Sequence, residues 1–193
     1  MKKGEENIDE KLTELEMFAR HAWMIKQDDL AFETIEEECS NEILRNKLWI
    51  GDFETQRAPP ANIGAIVSLG RRYAGYVTHE HIKYHRIMID DTPISNLLQH
   101  MNGACKFIKA QIKAGKQVLV HCQAGVSRSA SICIAYLIKE HYLTFIQAYV
   151  VVKAARPLIS PNHGYVSQLL KWQIAQEEEK KPKVISLKME EKV

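Results

Sequence analysis

The chain has few cysteines and no long apolar segment. Its 193 residues include four cysteines, with no Cys-x-x-Cys pair and no metal-ligand spacing to histidine. This argues against a disulfide-rich secreted domain and a zinc motif, and we expect a reducing compartment, the cytosol or the nucleus. No apolar run reaches the roughly 18–20 residues that cross a bilayer, and the lysine-rich start lacks the apolar region of a signal peptide. We therefore predict no membrane association.

The charges are too evenly balanced to indicate a polyanionic partner. The formal net charge is +2, which is too small to argue for binding to nucleic acid or to a membrane surface. Apolar residues make up 46% of the chain and charged residues 26%, as in an ordinary globular domain. The length suits one domain with a core of normal size.

The strongest chemical signal lies in residues 118–130, which read VLVHCQAGVSRSA. An apolar run ends at His121-Cys122, and a second apolar stretch with the character of a buried helix follows Arg128. A loop that opens a helix directs backbone N–H groups and the positive end of the helix dipole at one point, which favours an anion. Arg128 adds a planar fork of donors that matches two phosphate oxygens. The same field favours the thiolate form of Cys122, so the segment predicts a phosphate-binding loop with a nucleophile beneath it.

A thiolate that attacks phosphorus also needs a general acid, because the departing oxygen is a poor leaving group unless it is protonated. Asp90 and Asp91 follow the third predicted strand and are the best local candidates. On an extended backbone their side chains point to opposite sides, so only one can face the loop. The pattern leaves open which one does, and it leaves open that both are solvated turn residues or helix caps before Pro93.

Three further residues of the motif have possible supporting roles. The hydroxyl of Ser129 could donate to the Cys122 sulfur, or it could cap the following helix, and the two roles can coexist. Gly125 is predicted to adopt a backbone conformation that other residues resist. His121 is expected to orient the loop through hydrogen bonds rather than to act as a base.

Strands and helices alternate along the rest of the chain. Strands are predicted at residues 48–50, 63–69, 84–89 and 118–120, and helices at 93–112, after 128, from the Thr144/Gln147 capping box to 155, and at 166–174. This order predicts an α/β fold with a central, mostly parallel twisted sheet of about five strands flanked by helices. The phosphate loop would lie at the carboxyl end of a central strand, where ligands bind in such folds.

The segments that flank this core differ from it in composition. Helical spacing of apolar residues in 5–40 predicts an extra N-terminal helix that packs on the domain or on a partner. A short helix at 30–39 would make Cys39 a packing residue, as is Cys105 on its apolar stripe. The predicted division is a helical extension at 1–40, a catalytic domain at 41–176, and a charged, flexible tail at 177–193.

The chain resembles the dual-specificity protein phosphatases, the compact branch of the Cys-dependent protein tyrosine phosphatases. The resemblance covers roughly residues 41–173 and rests on His121-Cys122-x-x-Gly125-x-Ser127-Arg128-Ser129, Leu48-Trp49-Ile50-Gly51 and Arg156-Pro157-x-x-x-Pro161-Asn162. It implies a phosphatase-like fold and the hydrolysis of phosphotyrosine and of phosphoserine or phosphothreonine in proteins, through a phosphocysteine intermediate. It also implies that neither a metal nor another cofactor is needed, since amides and Arg128 supply the positive field.

The resemblance assigns roles to individual residues. It selects Asp91 as the general acid, with Asp90 as the fallback, and it places Asn162 beside the catalytic loop. The implied catalytic residues are Cys122, Arg128, Asp91 and Ser129; the phosphate-binding residues are Gln123, Ala124, Gly125, Val126, Ser127 and Arg128; the supporting residues are His121 and Asn162.

The resemblance also implies a phosphoprotein substrate, and the loop is most like that of the MAP kinase phosphatases. About forty residues before the domain cannot hold their kinase-docking domain, which leaves a MAP kinase substrate open. The alternatives are a phosphatase for lipid, RNA 5′ ends or small esters, with Arg71-Arg72 as a basic rim, a phospho-binding module, and a rhodanese-like sulfurtransferase. The neutral residues Gln123 and Ala124 disfavour inositol lipids. The sequence does not decide the oligomeric state.

Overall fold

The computed structural model describes residues 39–71 and 77–180, in which strands alternate with helices. The strands are β1 (Ser40–Leu44), β2 (Leu48–Gly51), β3 (Ile63–Leu69), β4 (Lys83–Ile87) and β5 (Gln117–His121). The helices are α1 (Phe53–Arg57), α2 (Leu98–Lys113), α3 (Arg128–His141), α4 (Phe145–Ala155) and α5 (His163–Lys180). The predicted α/β class is confirmed for these residues.

The strands form one five-stranded sheet in the order β1-β2-β5-β3-β4. β1 runs antiparallel to β2, and the other neighbouring pairs are parallel, as predicted for a mostly parallel sheet. Gly51 of β2 and Ser68 of β3 both pair with His121 of β5. The three central strands therefore end level with each other, and the residues that follow them meet at one carboxyl edge.

The central strand β5 is apolar because both of its faces are covered. Val118 and Val120 are fully buried in the main core, against the helices. Leu119 lies on the opposite face with Ile66 in a smaller apolar cluster. An uninterrupted apolar run before Cys122 is therefore what a strand in this position requires.

The helix α3 that follows the loop is buried all the way round. The first eleven of its fourteen residues, Arg128 to Ile138, are all buried. The sheet lies on one side, and α2, α4 and α5 pack around the rest. A helix that is covered on every side belongs in the interior, so the loop at its N-terminus is anchored to the core of the domain.

One predicted helix start is confirmed and another is wrong. The Thr144/Gln147 capping box opens α4, with both reciprocal bonds present. The helix predicted from Pro93 begins instead at Leu98, whose N–H donates to Gln168 Oε1 at 2.8 Å. The start of α2 is therefore determined by a side chain far along the sequence, which no local pattern reveals.

Other differences lie at the ends of elements. The sequence reading missed β1 and α1, and β4 ends at Ile87 rather than at residue 89. Cys39 is exposed just before β1, so its prediction as a packing residue is wrong. The tail predicted to be flexible from residue 177 is helical to Lys180, and Gln173 Nε2 donates to Glu177 Oε1 at 2.7 Å. The predicted N-terminal helix and the rest of the tail lie outside the described residues.

Candidate active site

The phosphate loop, residues 122–127, joins β5 to α3 at the carboxyl edge of the sheet. Its backbone carbonyls are engaged by neighbouring segments of the chain. The Phe53 N–H donates to the carbonyl of Gln123 at 3.2 Å, and the Ser160 N–H donates to the carbonyl of Val126 at 2.9 Å. These bonds hold the loop from two sides and turn its carbonyls outward.

Arg156 holds the middle of the phosphate loop in the same way. Its buried guanidinium donates through Nε to the Gly125 carbonyl at 3.0 Å and through Nη2 to the Ala124 carbonyl at 3.4 Å. Its Nη1 donates to Asn41 Oδ1 at 2.8 Å, which ties the loop to β1. The C=O and N–H of a trans peptide point in opposite directions. With four successive carbonyls turned outward, the amides face inward and form an anion cradle at the α3 N-terminus.

Gly125 is required in this loop for two reasons. Its φ angle is +69°, in the left-handed region that other residues rarely adopt, as the sequence predicted. A Cβ atom at this position would also lie 2.8 Å from Arg156 Nη2 and 2.9 Å from the Gly51 carbonyl oxygen. The loop backbone therefore packs too closely on its supports to admit a side chain.

Cys122 lies beneath the loop with 3% of its surface exposed. Its Sγ is 3.2 Å from Ser129 Oγ, which is within hydrogen-bond range. The N-cap of α3 is Ser127 rather than Ser129, so Ser129 does not cap the helix. The structure thus pairs the Ser129 hydroxyl with the Cys122 sulfur, the first of the two arrangements that the sequence allowed.

His121 is a buried support behind the nucleophile. Its Nε2 lies 2.7 Å from Ser68 Oγ, and its Nδ1 lies 3.3 Å from the Cys122 carbonyl oxygen. Burial lowers the pKa of His121 to about 4, so the imidazole is neutral at physiological pH. A neutral ring bonded at both nitrogens fixes the backbone at Cys122 without adding a positive charge.

Arg128 reaches from the end of the loop towards the segment that carries the two aspartates. Its Nη1 donates to the Ile89 carbonyl at 3.2 Å, and its Nε lies 3.5 Å from Asp91 Oδ2. Among the described residues, the buried Nε has no hydrogen-bond acceptor. A buried N–H donor without an acceptor costs free energy, and an oxyanion held by the loop would supply one.

Asp90 and Asp91 point to opposite sides of the backbone, as the extended-chain argument predicts. Asp91 Oδ1 accepts hydrogen bonds from Ser127 Oγ and from Asn162 Nδ2, both at 2.7 Å. Asp90 faces solvent and accepts from Arg71 Nε at 3.0 Å and from Nη2 at 2.8 Å. The hydrogen bond from Arg71 holds the pKa of Asp90 below its ordinary value. Of the two carboxylates, Asp91 is the one that faces the phosphate loop.

Asn162 connects three parts of the site. Its side-chain amide donates to Asp91, and its backbone N–H donates to Ser127 Oγ at 3.2 Å. Its Oδ1 accepts the Tyr165 N–H at 2.9 Å, which caps the first turn of α5. The structure thus gathers every site residue predicted from the sequence at one edge of the sheet, and the chemical roles of these residues stay predictions.

Sequence reasoning missed the residues that support the two loops. Arg156 was noted only as part of a family motif, because an arginine directly after a helix is usually exposed and gives no sign of a buried role. Ser68 and Asn41 carry no local signal, since their partners, His121 on β5 and Arg156 directly after α4, are distant in the sequence. Their contribution is visible only once the sheet order is known.

Comparison with known proteins identifies the domain. Residues 48–175 match the family model described as the dual specificity phosphatase catalytic domain. The chain belongs to the dual specificity phosphatases. The predictions of the family and of the fold are therefore confirmed, and the matched region contains both the phosphate loop and the two aspartates.

Individual relatives agree with this assignment. Dual specificity protein phosphatase MPK-4 of Drosophila melanogaster is 49% identical over 83 residues, which are 43% of this chain and 21% of that protein. Human dual specificity phosphatase 28 is 41% identical over 90 residues, which are 47% of this chain and 51% of that protein. The chain thus spans about a fifth to a half of the length of these two relatives.

The solved structures show the same fold. The crystal structure of human DUSP28 superimposes with a TM-score of 0.69 at 30% sequence identity, over 73% of this chain and 97% of that chain. Within residues 39–71 and 77–180, no helix combines the length and the apolar character needed to cross a lipid bilayer. The domain boundaries at residues 40 and 176 stay predictions.

Proposed function

We propose that this dual specificity phosphatase domain hydrolyses phosphate monoesters of tyrosine and of serine or threonine in proteins, through a phosphocysteine intermediate. The main support for this proposal is the arrangement of four groups. The same edge of the sheet holds an inward-facing amide cradle, the Cys122 sulfur beneath it, the buried Arg128 fork at its end, and the Asp91 carboxylate beside it. The 41% identity to human dual specificity phosphatase 28 supports the same reaction.

In the first step, the Cys122 thiolate attacks the phosphorus atom, and the bond between phosphorus and the ester oxygen breaks. The loop amides and Arg128 stabilise the charge on the equatorial oxygens of the transition state. Asp91 delivers its proton to the departing tyrosine, serine or threonine oxygen. The phosphoryl group is then bonded to sulfur, and Asp91 is a carboxylate.

In the second step, Asp91 accepts a proton from a water molecule that attacks the phosphocysteine. The bond between sulfur and phosphorus breaks, and inorganic phosphate leaves. Ser129 stabilises the returning thiolate, because its hydroxyl is already within hydrogen-bond range of Sγ. Neutral His121 holds the Cys122 backbone in place through both steps. Asp91 thus returns to its starting protonation state, and the cycle closes without another reactant.

The proposed substrate is a phosphoprotein, and a MAP kinase is one such protein to be tested. No membrane lipid or nucleic acid is proposed as a substrate. The neutral side chains of Gln123 and Ala124 disfavour inositol lipids, and the net charge of +2 is too small to indicate a nucleic acid. The cysteines Cys39, Cys105, Cys122 and Cys133 are all free. We propose a reducing compartment, the cytosol or the nucleus, as the place of action.

The test measures phosphate release from an aryl phosphate and from a peptide phosphorylated on threonine and tyrosine, with EDTA present. The proteins are the wild type, Cys122→Ser and the matched control Cys39→Ser, which alters an exposed cysteine outside the phosphate loop. We expect release from both phosphorylated positions by the wild type and by the control, and none by Cys122→Ser.

Other patterns of phosphate release would reject particular parts of the proposal. Release from the aryl ester alone would keep the cysteine chemistry and reject the phosphoprotein substrate in favour of lipid, RNA or small esters. Release that survives in Cys122→Ser would reject the nucleophile. Binding of inorganic phosphate without any release would show a phospho-binding module.

A further inference from the structure

The acid loop, residues 89–97, is held against α5 by a hydrogen bond from a side chain of α5 to the backbone of the loop. The Tyr165 phenol donates to the Asp90 carbonyl oxygen at 2.6 Å. Tyr165 is fully buried, and its partner is the residue directly before Asp91. The phenol therefore contacts neither the phosphate loop nor the Asp91 carboxylate through this bond, yet it binds the peptide group from which Asp91 extends.

That peptide group determines which way Asp91 points. The Asp90 carbonyl and the Asp91 N–H belong to one planar unit, so fixing the carbonyl fixes the plane. The preceding peptide is fixed as well, because Arg128 donates to the Ile89 carbonyl at 3.2 Å. Successive side chains of an extended segment point to opposite sides, so a rotated peptide plane would turn the Asp91 carboxylate away from the phosphate loop.

The acid loop packs closely against α5, and this packing fixes the position of the hydrogen bond between Tyr165 and Asp90. A Cβ atom on Gly164 would lie 1.9 Å from the Pro93 carbonyl oxygen, so the first turn of α5 touches the loop backbone directly. Further along, Gln168 Nε2 donates to the Ser95 carbonyl at 2.9 Å, and Gln168 Oε1 accepts the Leu98 N–H at 2.8 Å. The loop is thus fixed to α5 at three successive points.

We propose that Tyr165 is a positioning residue for the general acid: its phenol fixes the peptide plane between Asp90 and Asp91 and thereby aims the Asp91 carboxylate at the departing oxygen. This rests on the proposed function, in which Asp91 protonates that oxygen. Its consequence is selective, because a general acid matters most when the leaving group is a strongly basic alkoxide and least when it is a weakly basic phenoxide.

The phenol remains a donor under all assay conditions. Burial, and then the nearby Asp91 charge, raise the pKa of Tyr165 to about 12. The charged and titratable groups that act on it are Asp91, Arg128 and Cys122, and the Ser95 side chain forms a hydrogen bond with the phenol. A change of pH within the range of the assay therefore does not remove the hydrogen bond, and only a substitution can.

The test compares Tyr165→Phe with the wild type on two substrates. One is a phosphothreonine peptide, and the other is an aryl phosphate whose phenol carries electron-withdrawing groups. Phenylalanine keeps the buried ring and removes only the hydroxyl. We expect kcat/KM for the phosphothreonine peptide to fall about tenfold to hundredfold. The value of kcat/KM for the activated aryl ester should fall by less than about threefold, because it reports only the steps up to the departure of the phenol and not the later hydrolysis of the phosphocysteine, in which Asp91 acts again. Tyr136→Phe, which removes another buried phenol from α3, is the control and leaves both values unchanged.

The outcomes separate the inference from the proposed function. A wild type without activity on either substrate overturns the proposed function. If the wild type hydrolyses both substrates and Tyr165→Phe leaves kcat/KM unchanged on both, or lowers it equally on both, the positioning role is overturned. A selective loss on the phosphothreonine peptide supports it, since a general loss of folding would lower both rates together.

Discussion

The phosphate loop and the acid loop meet at one edge of the sheet, but different parts of the chain determine their shapes. The phosphate loop is enclosed by the strand and the helix directly before and after it, β5 and α3. The acid loop is held by α5 and the residue directly before it, through Tyr165 on Asp90 and Asn162 on Asp91, at separations of 75 and 71 positions. The first can be recognised from a short stretch of sequence, and the second only from the folded structure.

The two loops are expected to be sensitive to different kinds of substitution. In the proposed mechanism, the phosphate loop binds phosphate with backbone groups, so it should be sensitive to any change in its φ and ψ angles. The acid loop acts in that mechanism through the Asp91 side chain, so it should be sensitive to any change in the direction of that side chain. Substitutions in the two loops are therefore expected to have different effects on stability and on rate.

The largest expected effect in the phosphate loop is that of Gly125→Ala. The new Cβ atom meets Arg156 and the Gly51 carbonyl while φ stays at +69°. We expect the free energy of unfolding to fall by about 3–5 kcal/mol, and phosphate release to be lost with it. Urea unfolding followed by circular dichroism measures the first quantity.

Gly115→Ala is the matched control for this substitution. Gly115 has a φ of +75°, but a Cβ there would meet nothing within 4 Å. It should cost only the strain of the left-handed backbone, about 1–2 kcal/mol, with unchanged activity. Equal losses at the two glycines would show that close packing of the loop does not matter.

Arg156→Met tests the support of the phosphate loop from behind. It removes the donors to the Gly125 carbonyl and to Asn41. We expect a loss of about 2–3 kcal/mol in the free energy of unfolding and a raised KM, because the buried acceptors lose their partner. Arg57→Met is the control, since its ion pair with Glu54 is exposed and should contribute less than about 0.5 kcal/mol. An unchanged KM in Arg156→Met would contradict the cradle argument.

The pH dependence of stability tests the buried support at His121. Its pKa is about 4 in the folded protein, below the ordinary value of 6.5, because burial disfavours the charged ring. As the pH falls, the unfolded chain therefore binds a proton on His121 before the folded protein does. The contribution of neutral His121 to the free energy of unfolding is complete above about pH 6.5 and is lost as the pH falls towards 4. Between pH 7.5 and pH 5 the loss is about 2 kcal/mol.

The measurement is the difference in free energy of unfolding between these two pH values, in the wild type and in His121→Asn. The asparagine amide can take the place of Nδ1 and donate to the Cys122 carbonyl, but it does not titrate in this range. The asparagine variant should lose about 2 kcal/mol less than the wild type on acidification. Parallel pH profiles would show that His121 is not buried in the neutral state.

The sequence predicted the phosphate loop because its determinants are adjacent. The apolar run, Cys122, Gly125 and Arg128 lie within a few positions, and a buried strand and helix follow from their composition. The mostly parallel sheet was predicted from the alternation of strands and helices. The residues alone could not choose between Asp90 and Asp91, because the direction of an extended backbone at a strand end depends on its distant partners.

The missed features share one physical cause. The start of α2 at Leu98 is set by Gln168, and the loop support by Arg156 reaches back to Asn41 in β1. β1 itself has a polar, half-buried sequence that carries no clear alternation. Contacts of this kind form between elements that are remote in sequence, so local periodicity and capping patterns do not predict them.

The most direct test of the proposed active site compares the activity of Asp91→Asn with that of Asp90→Asn on a phosphothreonine peptide. The two carboxylates are neighbours in sequence, but only Asp91 faces the phosphate loop, and Asp90 is paired with Arg71 in solvent. We expect Asp91→Asn to lower kcat by about a hundredfold to ten-thousandfold and Asp90→Asn to lower it by less than about tenfold. Equal losses, or a larger loss for Asp90→Asn, would contradict the claim that the two loops form one active site around Cys122 and Asp91.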